Sequence, residues 1–165
     1  MKNILSIALV GFLISNVSGC VEPMSEDSAT IAAAQAGYAA FQAGDMTAWS
    51  ETQADDAVWT IPQGLPYGGT YIGPESVIDN VFAPIAALWP DFSVEDLEYH
   101  VSGNTVFIKT RITAGGLVSD SLHVAVMENG KYASFQVFDD TAFMMKSAQT
   151  SNTAQTAAST VPESQ

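Results

Sequence analysis

Hydrophobic positions fall into two periodicities along the chain. From Ala29 to Gly44, apolar side chains return every three or four residues, at Ile31, Ala34, Tyr38 and Phe41, which lines them along one face of a helix. Asp27 and Ser28 can cap the exposed amides at its start, and Gly44 ends it. A second, short helix is predicted over Met46 to Thr52, and Ala57 to Ile61 is rich in strand formers. The following stretch carries Pro62, Gly64, Pro66, Gly68, Gly69 and Gly73, breakers too dense for any regular element. Pro74 suits the first turn of a helix carrying Val77, Ile78, Val81 and Phe82, and Pro84 should end or kink that helix.

In the second half the period changes. Ser93 to Val101, Thr105 to Thr113, Leu117 to Met127 and Tyr132 to Phe143 are strand-like runs. They are separated by Gly103-Asn104, Gly115-Gly116 and Asn129-Gly130, so a four-strand meander is expected. Helices first and an antiparallel sheet after them indicate an α+β fold.

The ends read differently. Lys2 is followed by an apolar run from Ile4 to Ile14, too short to span a bilayer, and then by small residues, the layout of an export signal. Val17-Ser18-Gly19-Cys20 resembles the lipobox of bacterial lipoproteins. That resemblance implies cleavage before Cys20 and acylation of its sulfur, with two or more chains giving stable anchoring. Val21 follows, where an Asp would direct inner-membrane retention in that family, so the resemblance points to the outer membrane. The expected organisation is signal peptide 1–19, tether 20–28, folded domain 29–146 and a polar, disordered tail 147–165.

Composition narrows the function. The formal charge is −13, one unit more negative once Lys2 leaves with the signal. Such a surface repels nucleic-acid phosphates and anionic headgroups, so no nucleic-acid partner is expected and membrane attachment must come from lipid. Cys20 is the one cysteine, and His100 and His123 are the two histidines, so an internal disulfide, a cysteine-built zinc site and a histidine-rich metal site are all excluded in the monomer. No metal and no cofactor are expected.

Four stretches carry a resemblance: Tyr38-Ala39-Ala40-Phe41 through Gly44-Asp45; Asp55-Asp56-Ala57-Val58-Trp59; Pro66 through Tyr71-Ile72-Gly73; and Asn129-Gly130-Lys131 leading to Phe138-Asp139-Asp140-Thr141. Their order, over about Ala29 to Met145, resembles the nuclear-transport-factor-2-like superfamily and its SnoaL-like members, which include polyketide cyclases and ketosteroid isomerase relatives. The resemblance implies a cone-shaped fold, with N-terminal helices packed on a strongly curved antiparallel sheet whose concave side forms a cavity. It also implies an acid/base aspartate near Asp140 and dimers through the sheet.

A two-residue turn at Asn129-Gly130 sets His123 opposite Gln136, with Phe138 and Asp140 continuing on that face. Leu122, Val124, Val126, Phe135 and Val137 then form an opposite, hydrocarbon face. The mixed face is assigned to the cavity. His123 is a candidate proton carrier because imidazole titrates near neutrality. Asp140 is the other, since a carboxylate in apolar surroundings can take a proton from carbon beside a carbonyl. The two stand about 13 Å apart along the strand, and a longer turn would bring Asp139 to the His123 face instead. Tyr38, Trp59, Tyr67 and Trp89, with Gln136 and Phe138, are expected to contact ligand. Arg111 could belong to an Asp-Arg-Asp site of the epoxide-hydrolase kind, but Thr113 leaves that triad incomplete. The expected function is a lipid-anchored cell-envelope protein that binds a small, largely apolar molecule. The alternatives are an isomerase or cyclase using Asp140 or His123, and a dimeric interaction module without ligand.

Overall fold

The computed structural model describes residues 24–149. The segment expected to be a signal peptide, Cys20 and the chain beyond Gln149 lie outside the described residues.

Helix α1 spans Glu26–Gln42 and begins inside the segment expected to be a tether. The Ser25 hydroxyl accepts from the Ser28 amide, and Glu26 and Asp27 place negative charge at the helix's positive end. Small residues let its inward face approach Tyr132 closely: a side-chain carbon on Gly37 would lie 2.7 Å from the Tyr132 ring, and the Tyr132 hydroxyl donates to the Ala34 carbonyl at 2.5 Å. Helix α2 (Met46–Glu51) buries Trp49, and strand β1 (Gln53–Ile61) follows.

The breaker-rich loop does contain a regular element. Strand β2 (Gly69–Ile72) pairs antiparallel with β1, from Val58 opposite Ile72 to Ile61 opposite Gly69. Helix α3 (Pro74–Val77) runs through a π-helical turn, Ile78–Phe82, into helix α4 (Ala83–Leu88). Pro84 therefore does not end the helical path. It sits in the first turn of α4, where its missing amide is tolerated.

Strands β3 (Ser93–Ser102), β4 (Thr105–Ala114), β5 (Leu117–Glu128) and β6 (Lys131–Phe138) form the expected meander. The sheet is curved and unclosed, in the order β2-β1-β6-β5-β4-β3. It is mixed, because β1 runs parallel to β6.

One residue reverses the expected faces of the last hairpin. Asn129 and Gly130 have φ of 52° and 75°, as the two-residue turn requires, and Glu128 pairs with Lys131. Next, Met127 pairs with Tyr132 but Val126 pairs with Ser134, leaving Ala133 as a bulge. His123 consequently stands opposite Val137, and Gln136 opposite Val124. Phe135 and Val137 are buried with His123, whereas Leu122, Gln136 and Phe138 are exposed. The hydrocarbon face expected to unite Leu122, Val124 and Val126 with Phe135 and Val137 is split between the two sides of the sheet.

The strand expected to reach Phe143 stops at Phe138, and residues 141–149 form helix α5. Met144, Ser147 and Ala148 are buried, and the Ser147 hydroxyl donates to the Ala114 carbonyl at 2.7 Å. Packed structure thus extends past the expected boundary at residue 146.

Candidate functional site

The concave side of the sheet and the helices enclose a cavity of about 70 Å³, and aromatic rings make up half of its wall. Helix α1 contributes Tyr38 and Phe41, α2 Trp49, β1 Trp59, the π-helical turn Phe82, and β6 Phe135. Alternation along β1 and β6 turns Trp59 and Phe135 to the same side, where they stack at 4.1 Å between centroids. The Phe82 ring meets Phe41 at 4.9 Å and Trp49 at 4.7 Å. The extra residue per turn in the π-helical segment lies where this ring enters the cavity.

Among the described residues, a cluster of Tyr38, His123, Ser121 and Asp139 interrupts the apolar wall. The Tyr38 hydroxyl lies 2.6 Å from His123 Nδ1, and both groups are buried. His123 Nε2 lies 3.8 Å from Asp139 Oδ1, close for charge but beyond hydrogen-bonding distance. The Ser121 hydroxyl donates to Asp139 Oδ1. Ser121 and His123 share the inward face of β5 by alternation, and Asp139 follows directly on β6. The Asp139 side chain is 7% exposed.

Burial, foremost, pushes the Tyr38 hydroxyl well above its ordinary pKa, with Tyr132, Tyr99, Asp96 and Asp139 adding repulsion. Tyr38 therefore stays a neutral phenol with a proton to donate. Its hydroxyl and His123 Nδ1 share one hydrogen bond, which leaves Nε2 as the ring nitrogen that faces Asp139. Tyr67, also in the wall, is raised in the same way, by burial first and by Asp139 second. Such a chamber can exclude water, hold one polar group of a ligand and move a proton at Nε2 or at the carboxylate. Among the described residues no cluster of three or more His, Cys, Asp or Glu could hold a metal.

The structure brings Tyr38, Trp59, Tyr67 and His123 together, as expected from the sequence. It does not bring the others to them. Asp140 is exposed and caps α5, its Oδ1 accepting from the Phe143 amide at 3.0 Å. Gln136 and Phe138 lie on the outer face because of the Ala133 bulge. Trp89 stands behind the wall, stacked on Phe92 and edge-on to Tyr67, with no partner for its indole N–H among the described residues. Sequence reasoning missed Ser121, although a polar residue two before His123 on an alternating strand was a signal for it. Phe82, Phe135 and Val137 were missed as cavity residues.

The SnoaL-like domain family matches residues 34–135. No curated protein matches the chain in sequence. Among solved structures, TerC co-crystallized with polyporic acid is 23% identical, with a TM-score of 0.66 over 74% of this chain and 99% of that one. A nuclear-transport-factor-2-like protein of unknown function from Burkholderia pseudomallei K96243 is 27% identical, with a TM-score of 0.65 over 73% of this chain and 98% of that one. A protein from Jannaschia sp. CCS1 classed as a SnoaL-like polyketide cyclase is 15% identical, with a TM-score of 0.63 over 77% and 96%. The matched residues run from the middle of α1 through the first half of β6, which is the frame that holds the cavity, and the chain belongs to the SnoaL-like domain family.

Proposed function

We propose that the chain is a lipid-anchored cell-envelope protein that binds a small, largely apolar molecule in the cavity between its helices and its sheet. The observation that carries binding is an aromatic chamber with one polar cluster, Tyr38, His123 and Asp139, set into it. Apolar walls supply affinity by releasing water, and a few convergent polar groups fix orientation. The anchor rests on Val17-Ser18-Gly19-Cys20. Protein isolated from its own host should carry a small apolar compound, identified by mass spectrometry of the extract. Val137→Phe, which fills the cavity, should lose that compound while keeping the native circular dichroism. A filled variant that retains the compound would overturn the site. Cys20→Ser should move the protein from the membrane to the soluble fraction, and continued membrane partitioning would overturn the anchor.

A second reading, proton-transfer catalysis of the isomerase or cyclase kind, is favoured by the buried His123 and Asp139 facing one another across 3.8 Å. Turnover of ketosteroids, polyketide-like aromatics or epoxides should then fall roughly 10²- to 10⁴-fold in His123→Gln and Asp139→Asn, with little change in affinity. Binding without wild-type turnover of any of them would sink this reading and leave the first.

A further inference from the structure

The charges of the cavity constrain what it can hold. No Lys or Arg among the described residues lines it, and Asp139 is its one carboxylate. Lys109 and Arg111 project from the exposed face of β4 into ion pairs with Glu98, Glu95 and Asp120 and do not line the chamber. His123 Nδ1 is engaged by the Tyr38 hydroxyl at 2.6 Å, and His123 Nε2 stays 3.8 Å from Asp139 Oδ1, beyond hydrogen-bonding distance, so that the imidazole does not occupy the carboxylate's acceptor sites. Asp139 also borders the shallow groove formed with Thr60 and Pro62, which puts the charge where the chamber meets the surface. The chain as a whole carries a formal charge of −13, so its field draws cations inward and repels anions.

A carboxylate at the edge of a chamber walled by Trp, Tyr and Phe rings is complementary to one ligand chemistry. Ring faces attract a cation through their quadrupoles, and the carboxylate accepts its N–H bonds. From this we infer that the cavity selects a small organic cation, an amine on an apolar frame, and rejects carboxylates of the same shape. The inference rests on the reading of the cavity as a binding site and names the ligand class for it. Asp139 receives the ammonium, and Trp59, Phe82 and Tyr67 pack around the frame.

Three near-isosteric probes test it: 2-phenylethylamine, 2-phenylethanol and phenylacetate, each titrated into the mature protein at neutral pH and followed by amide NMR shifts. The amine should bind about tenfold tighter than the alcohol, and phenylacetate about tenfold weaker than the alcohol or less well still. In Asp139→Asn the amine and the alcohol should bind alike, with the alcohol's affinity within about threefold of wild type. High salt should leave most of the wild-type preference intact, because a buried carboxylate is screened far less than the surface field. The wild-type series and its salt dependence decide the matter even if Asp139→Asn fails to fold. If the alcohol binds and the amine binds no tighter, or phenylacetate binds as well, the cation inference falls while the binding site stands. If the preference vanishes in salt or survives Asp139→Asn, the assignment to Asp139 falls. If none of the three binds, the binding reading falls and takes the inference with it.

Discussion

Asp139 and Asp140 are adjacent, yet just past the end of β6 one carboxylate lines the cavity while the other stands in solvent and caps the start of α5. Their variants should separate accordingly. Asp140→Ala removes the acceptor for the Phe143 amide, so denaturant unfolding should show a loss of about 1 kcal/mol, with ligand affinity unchanged. Tyr38→Phe leaves His123 Nδ1 buried without its partner and should cost roughly 1–3 kcal/mol, a loss that a surface variant such as Glu51→Gln should not show. At this scale the site was half legible. His123, Tyr38, Trp59 and Tyr67 declare themselves through residue type and period. Gln136, Phe138 and Asp140 were misplaced because Ala133 inserts one position that no turn signal announces.

Elements were legible where each carries its own stop signal and obscure where only tertiary contact decides. Gly103, Gly115, Gly116 and Gly130 all adopt positive φ, and the strands between them fall within a residue or two of expectation, apart from the far end of β6. Strand β2 has no local signal, since Gly69–Ile72 becomes a strand only by pairing with β1. Helix α5 hides for a different reason. Phe143, Met144 and Ala148 are its apolar contacts, and Ser147 is buried by donating to Ala114, so composition alone reads the end of the helix as tail. Chains ending after Lys146 and after Gln149 should therefore differ. The shorter one forfeits the Ser147 hydrogen bond and the burial of Ala148, and should be about 1–3 kcal/mol less stable in chemical denaturation. Equal midpoints would show that the last turn of α5 contributes nothing.

The whole molecule ties stability to pH and leaves an apolar outer sheet face. Tyr38, Tyr67, Tyr99 and Tyr132 are all raised above 10.0, burial being the largest cause for each. A raised tyrosine keeps its proton in the folded state longer than in the unfolded one. Its contribution is complete below pH 10 and drains away as pH rises further, so alkaline melts should fall steeply there. Outside the sheet, register aligns Phe107 with Val124 and Leu122 with Phe138, and sets Ile72 beside Val58. Phe138 is 50% exposed and Leu122 40%, an apolar surface flanked by the Lys109–Glu98 and Arg111–Asp120 pairs. Exposed apolar side chains of this kind on an acidic chain are suited to a second copy, with like charge opposing the approach. Sedimentation should accordingly show self-association that strengthens with added salt, since screening weakens the repulsion and leaves apolar burial intact. Val124→Glu should produce a monomer that melts close to wild type, because Val124 lies on the outer face and not in the core. A wild type that sediments as a monomer at every salt concentration would overturn self-association through this face. Unfolding of Val124→Glu would instead mean that the residue packs inward.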